Sequence, residues 1–446
     1  MKKLILIFLI VSSPLLAQET QRLSLSDAIS YALQHKADAE KARLDVEMGE
    51  LEIAQTKAAA LPSLAVSGNT NYNPLLQENV LPGEIFGQPG TNVKVAFGQK
   101  WTSTFTAQVN QTLFNQAVFT GLKAAKSTRE FYQINAQLTE EQIIEKVATA
   151  YYQVYQAQQS LQNLESNLAL TEKTVEIIKG LYESGLAKKI DYDRSQVALN
   201  NAKANRQQVV NAVQLSENAL KFMIGMPIQQ SISLPIKTFE PSVLLTKNED
   251  FLSDRTEVKL LNKQLELLEW QKKATEAEYY PTASLLANYG WLGQGSKMPW
   301  WNGEDNGVYW SDLASIGLNI RIPIFNGFAT KSKVGKVQID MSKAQADLRD
   351  TKLGLELSYT NAQTQLQNSM ITIENQETNV GLAESVLTDT QNNYSLGLAT
   401  LNDLLDAERD LSDAKDNLTN AQLDYKLAEI ELLKSKGALR TLIENK

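Results

Sequence analysis

The sequence predicts a mainly α-helical chain with a minor β component, built as two tandem copies of one unit. Three observations carry this: landmarks that recur at a near-constant offset, four runs of about ten residues that alternate apolar and polar, and long helix-patterned stretches without proline. Tyr182-Glu-Ser-Gly185-Leu186-Ala187 returns as Tyr394-Ser-Leu-Gly397-Leu398-Ala399 at an offset of 212. Leu113-Phe114-Asn115 returns as Ile324-Phe325-Asn326 at 211, and Pro62-Ser-Leu-Ala-Val as Pro281-Thr-Ala-Ser-Leu at 219. Landmarks in one order at one period mark a duplicated unit. The first repeat is read over 18–236 and the second over 237–446.

Residues 1–17 read as a secretory signal peptide: Lys2 and Lys3, an apolar run from Leu4 to Ile10, then Ser12, Ser13 and Ala17 before Gln18. That run is shorter than the ~20 residues of a spanning helix. Ser24-Leu-Ser-Asp27 opens a helix with a capping residue and an early acid, and Pro62 closes it at about Leu61. The pattern then switches to period two. Leu64, Val66, Thr70 and Tyr72 share one face of a strand at about 62–73, and a loop rich in Asn, Gly and Pro is expected over 73–99. Phe105, Ala107, Val109 and Leu113 mark a second strand at about 101–114. In the second repeat, Ala283, Leu285, Ala287, Tyr289 and Trp291 form a strand at about 281–292, and Ile316, Leu318, Ile320, Ile322 and Ile324 another at about 314–325.

Ten alternating residues is the length and pattern of a membrane-spanning β-strand. Trp101, Trp291, Trp300, Trp301 and Trp310, five of the six tryptophans, fall in or beside these runs, as an interfacial girdle requires. Four strands cannot close a barrel, so other copies of the chain must complete it. Helix patterns from about Val118 to Lys179 and from Phe328 to Asn393 imply helices of ~95 Å. Leu404, Ala407, Leu411, Ala414, Leu418, Ala421, Tyr425, Ala428 and Leu432 keep unbroken 4-3 heptad spacing, the pattern of a coiled coil. Val337, Met341, Ala344, Leu348, Leu355 and Ala362 continue the pattern in the preceding helix.

Composition removes other classes. There is no Cys, one His (His35), and 43 Lys+Arg stand against 51 Asp+Glu. No basic block exists to release counterions from nucleic acid. Thiol chemistry is absent, and no nucleophile–base pair, phosphate loop or metal-ligand cluster is present, so neither an enzyme nor a cofactor site is expected. The competing reading is an extracytoplasmic coiled-coil scaffold or adaptor without channel activity. Four alternating strands with terminal Trp are unnecessary for that role.

The order helix, strand, loop, strand, long helix, Gly turn, helix, twice over, resembles the TolC-type outer-membrane efflux factors across residues 22–440. The most specific motif is Tyr394-x-x-Gly397-Leu398-Ala399-Thr-Leu-Asn-Asp403-Leu-Leu-Asp406-Ala407. The resemblance implies a homotrimer with a 12-stranded β-barrel in outer-membrane lipid and an α-helical periplasmic tunnel. It further implies a periplasmic adaptor, an inner-membrane pump, and service in a tripartite efflux or type I secretion system.

Helical hairpin tips are expected at about 182–191 and 394–406. By the same resemblance, Asp403 and Asp406 form acidic rings at the periplasmic aperture. Spaced three apart, they share a helix face; in a first turn they equally favour the helix dipole. Asp191 and Tyr394 match aperture-latch positions. The archetypal Arg is replaced by Ala399, leaving Lys188 and Lys189 as substitute cations or as plain solvated residues. Gly185, Leu186, Ala187, Gly397, Leu398 and Ala399 match adaptor-contact turns.

Overall fold

The computed structural model describes residues 21–235 and 251–444. The segment 1–17, read as a signal peptide, and the repeat boundary expected at 236/237 lie outside the described residues. In chain order the elements are β1 (Gln21–Arg22), α1 (Leu25–His35), α2 (Ala37–Ala58), β2 (Ser63–Tyr72), β3 (Glu78–Pro82), β4 (Asn92–Ala96), β5 (Trp101–Asn115), α3 (Gln116–Glu183), α4 (Lys189–Ile224) and β6 (Ile232–Ser233). There follow α5 (Phe251–Asp254), α6 (Thr256–Glu276), β7 (Thr282–Gly295), β8 (Val308–Arg321), α7 (Ala329–Ser395), α8 (Leu401–Ser435) and α9 (Thr441–Glu444). They form two compact units, each drawing on both halves of the chain: one holds residues up to Val46, Tyr132–Asn262 and Asp347–Lys446, the other Glu47–Phe131 and Lys263–Ala346.

In the first unit, Ile29 and Ala32 of α1, Ile144, Val147 and Val154 of α3, Leu220 and Ile224 of α4, and Ile430 and Leu433 of α8 share one buried core. Ser24 and Asp27 cap α1 reciprocally, as the sequence predicts. The helix expected to run to Leu61 breaks at Lys36, whose backbone is extended. There the ammonium donates to the Phe222 carbonyl at 2.9 Å and lies 4.0 Å over the Phe222 ring, a tertiary contact with no local signature. Along α8 the heptad residues are buried or half-buried: Ala421, Tyr425, Ala428 and Leu432 pack with Tyr359, Ala362, Leu366 and Ile373 of α7.

The second unit carries the four-stranded antiparallel sheet, in the order β2-β5-β7-β8. Residues directly opposite in neighbouring strands project to the same face, so register decides the surface. Leu64, Val109, Ala287 and Ile316 form one rank, and Val66, Ala107, Tyr289 and Ala314 the next. Leu285 stands beside Leu318, and Phe114 beside Ala283 and Ile320. The opposite face ranks Ala65, Gln108, Asn288 and Ser315, then Asn71, Thr102, Gln294 and Tyr309, with Leu286, Leu292 and Leu313 among the polar side chains.

Details of the strands differ from the sequence reading. A one-residue bulge between Thr112 and Phe114 puts Phe114, not Leu113, into the apolar row. β8 spans 308–321 rather than 314–325. It begins earlier because Asp312, which interrupts the apolar alternation, is accommodated by the Tyr289 hydroxyl donating to its carboxylate at 3.0 Å. It ends earlier because Pro323 has no N–H to donate and β7 starts only after Pro281. The expected 73–99 loop contains the β3–β4 hairpin, and β1 pairs with β6 in parallel; both are too short to give a periodic signal.

Gly290 fixes how closely β5 and β7 approach: a Cβ there would lie 2.5 Å from the Phe105 carbonyl oxygen, which no side-chain rotation relieves. Gly290→Ala is expected to destabilise the sheet by about 1–3 kcal/mol. At Gly317 a Cβ meets nothing within 4 Å, so Gly317→Ala is the neutral control. Melting of both variants in detergent, followed by circular dichroism, checks the difference.

Candidate functional site: the helical tips and the sheet surface

Both helical hairpins turn through the same hydrogen-bonded motif. In the first, the Gly185 amide donates to Tyr182 at 3.0 Å and the Leu186 amide to Leu181 at 2.8 Å. In the second, Gly397 donates to Tyr394 at 3.0 Å and Leu398 to Asn393 at 2.8 Å. This is the Schellman closure, and it needs a positive φ at its penultimate residue: Gly185 has 75° and Gly397 72°. The next side chain is thrown outward, so Leu186 is 79 % and Leu398 76 % exposed. Leu396 is also exposed. Ala187 and Ala399, half-buried, lead into α4 and α8.

The helices after the two turns start differently. Thr400 caps α8: its hydroxyl and its backbone N–H donate to Asp403 Oδ2 at 2.7 and 2.8 Å, and the Asp403 amide returns a bond to the Thr400 hydroxyl. These donors, the hydroxyl first, hold the Asp403 carboxyl below its ordinary range. At the equivalent place α4 carries Lys188, which provides no side-chain cap. Asp191, equivalent to Asp403, therefore has no capping hydroxyl; instead its charge acts on Tyr394, whose phenol is pushed up by burial first and by Asp191 second.

Tyr394 packs against a small cluster formed by Leu387 of α7 with Leu404 and Ala407 of α8, which Leu170 of α3 also borders. Asp406 is exposed and paired with Arg409 at 3.1 Å, one turn along the same helix. Lys188 and Lys189 are exposed and take no ion pair among the described residues. The structure thus brings Asp191 toward Tyr394 within one chain, and the Asp191 amide donates to the Lys188 carbonyl at 3.0 Å.

Other features escape a sequence reading. Arg194 of α4 donates to the Asn402 side chain of α8 at 3.2 Å. Beside it lies an open groove of about 370 Å³ lined by Ile190, Val197 and Leu405. Glu408 is 4 % exposed and accepts from the Thr174 hydroxyl at 2.6 Å and the Thr171 hydroxyl at 3.3 Å, both on α3. Helical periodicity marks Glu408 only as a neighbour of Ala407; that α3 covers this side of α8 is a tertiary fact.

On the sheet, aromatic residues gather at both ends of the apolar face. Toward the loops, Tyr72 packs on Trp101 with ring centroids 4.7 Å apart, Phe105 on Trp300 at 4.6 Å, and Tyr289 on Trp291 at 5.0 Å. The Trp300 indole N–H also donates to Thr70 at 3.0 Å. Toward the helices, Phe114 meets Phe119 at 5.8 Å and Phe325 meets Phe328 at 5.4 Å, beside exposed Tyr279 and Tyr280. Between them Leu64, Val66, Ile316, Leu318 and Ile320 remain exposed. Ten residues of strand span roughly 34 Å, or ~25 Å when tilted by about 45°, the height of a lipid-facing band. Among the described residues no helix is long and apolar enough to cross a membrane.

Comparison with known proteins agrees. The chain is 24 % identical over 339 residues to the outer membrane protein TolC of Vibrio cholerae, covering 74 % of this chain and 75 % of that one. It is 22 % identical over 437 residues to the alkaline protease secretion protein AprF of Pseudomonas aeruginosa, covering 95 % and 86 %. The crystal structure of the outer membrane protein VceC from Vibrio cholerae superposes with a TM-score of 0.71 at 21 % identity, over 93 % of this chain and 96 % of that one. The outer membrane efflux protein family model matches residues 28–226 and 249–438, so the chain belongs to that family and serves as an exit duct in the outer membrane.

Proposed function

We propose that three copies of this chain join their sheets, β8 of one to β2 of the next, into a closed 12-stranded barrel whose helices form the duct from the periplasm. One observation carries the reading: a mainly apolar face across four strands, interrupted at Asp312 and Ser103 and bounded by two aromatic belts, on a sheet whose outer strands β2 and β8 have open outer edges among the described residues. β2 and β8 run in opposite directions, so copies placed side by side pair antiparallel, as every neighbour in the sheet already does. Closure satisfies the edge amides that lipid would leave bare. The finer parts of the proposal follow. Leu186 and Leu398, with their turn residues, meet the tip of a periplasmic adaptor bound to an inner-membrane pump. Asp403 and Asp406 line the mouth. Tyr394 and Asp191 hold α7 and α8 against α4 without the archetypal Arg.

Light scattering in detergent is expected to give a trimer, and planar bilayers a single-channel conductance; a stable inserted monomer overturns the closure.

Replacing both Leu186 and Leu398 with Asp is expected to abolish export while trimer yield and insertion stay normal. Export at the original rate would return these leucines to ordinary solvent exposure.

Three copies of a carboxylate in one constriction attract cations. Asp406, outside the cap, is the cleaner reporter: Asp406→Asn is expected to lower cation selectivity and weaken block by multivalent cations added from the periplasmic side. Asp403→Asn should do the same and also lower the melting point, because it disturbs the Thr400 cap. Selectivity unmoved in the double variant would remove both acids from the constriction.

A further inference from the structure

The two sides of α8 are built differently. Toward α7 it presents an apolar zipper of Ala421, Tyr425, Ala428 and Leu432. Toward α3 the stretch 156–174 is tied to 408–420 by polar side chains, with Leu170 bordering the Leu404–Ala407 cluster, while Ile430 and Leu433 share an apolar core with α3 further along. Asn163 donates to the Thr419 hydroxyl at 2.9 Å, Gln156 to Asn420 at 2.9 Å, and Thr171 and Thr174 to Glu408. Among the described residues the hydrogen-bond partners of Glu408 are the neutral hydroxyls of Thr171 and Thr174. The charged groups around it are engaged elsewhere: Glu172 of α3 with Lys203 of α4 at 3.4 Å, Asp406 with Arg409 at 3.1 Å, and Lys415 with Glu384 of α7 at 3.0 Å. From α4, Arg194 is turned to Asn402. Two turns further along α8, Asp416 has a buried Oδ1 without a hydrogen-bond partner.

A buried carboxylate without a cation is costly, whereas a neutral carboxylic acid bonded to two hydroxyls is not. We propose that Glu408 is the proton sensor of the α3–α8 seam: the packed seam holds it as the neutral acid, and its ionisation favours parting of α8 from α3 at the periplasmic end. The proposal rests on reading these hairpins as that end of a duct. The direction of the effect follows from burial, which raises the Glu408 carboxyl more than the two threonines lower it, and which raises Asp416 as well. The packed state therefore binds the proton from the ordinary carboxylate value upward. It is favoured below that window and weakens as pH rises through it, by about tenfold in the packed-to-parted ratio for each pH unit of the shift.

The chain has no cysteine, so a single introduced pair reports cleanly. Spin labels on exposed Ser166→Cys in α3 and Asp410→Cys in α8 of the full-length trimer measure the seam at about pH 5 and about pH 8. The distance distribution is expected to lengthen with pH in the otherwise unchanged protein and to stay at its short position in Glu408→Gln, which keeps size and hydrogen bonding without charge. Thr174→Val, which removes a donor that favours the carboxylate, is expected to move the transition to higher pH. A distribution that ignores pH, or one that moves equally in Glu408→Gln, overturns the proposal. Bilayer conductance of the same samples separates the two readings. Channels that conduct while the labels ignore pH refute the sensor alone; absence of conductance at every pH refutes the duct, and the label distances still decide the seam.

Discussion

The unpaired backbone along β2 and β8 constrains the rest of this chain. Each edge presents N–H and C=O groups that must be met by water or by another strand, yet the side chains between the edges form an apolar face unsuited to water. A second sheet packed on that face would solve half of the problem and leave the edges open. A closed ring of sheets in lipid solves both, with the apolar face outward and the polar face toward a wet lumen. The aromatic pairs at the two ends of the strands fit the same arrangement, because Trp and Tyr are most stable where one side of the ring is apolar and the other wet.

In the helical unit a comparable division lies between the two faces of α8. Leu, Ala and Tyr against α7 give a dry, closely packed contact that resists separation. Thr, Asn, Gln and the Glu408 and Asp416 carboxyls against α3 give a contact whose hydrogen bonds water can replace at little net cost. Near the hairpin this polar stretch is the natural place for movement, whereas Ile430 and Leu433 hold α8 to α3 through the apolar core further along. The α7–α8 pair would then move as one body.

The duplicated hairpins have also diverged where it matters. The turns are the same to within a few tenths of an ångström in their principal hydrogen bonds, both closing in the Schellman pattern around a glycine at positive φ. Directly after the turn, Thr400 engages Asp403 in a cap, whereas Lys188 leaves Asp191 without one. Asp403 is thus tied to the start of its own helix, while the charge of Asp191 acts on Tyr394.

The sequence by itself determined the periodic features: four alternating strands, two long helices of 68 and 67 residues, the heptad stripe of α8, both Gly turns and the Ser24 cap. These are local, since a period of two or seven and a residue that tolerates positive φ act within a few neighbours. It also pointed to the acids and leucines of the second hairpin through one motif. Only the tertiary structure decided the Thr112–Phe114 bulge that brings Phe114 into the apolar row, the break at Lys36, and which face of α8 meets α3. The same holds for the burial of Glu408, a residue that periodicity alone assigns to the flank of the stripe. Each of these depends on what a distant segment places opposite, and no period along the chain carries that information.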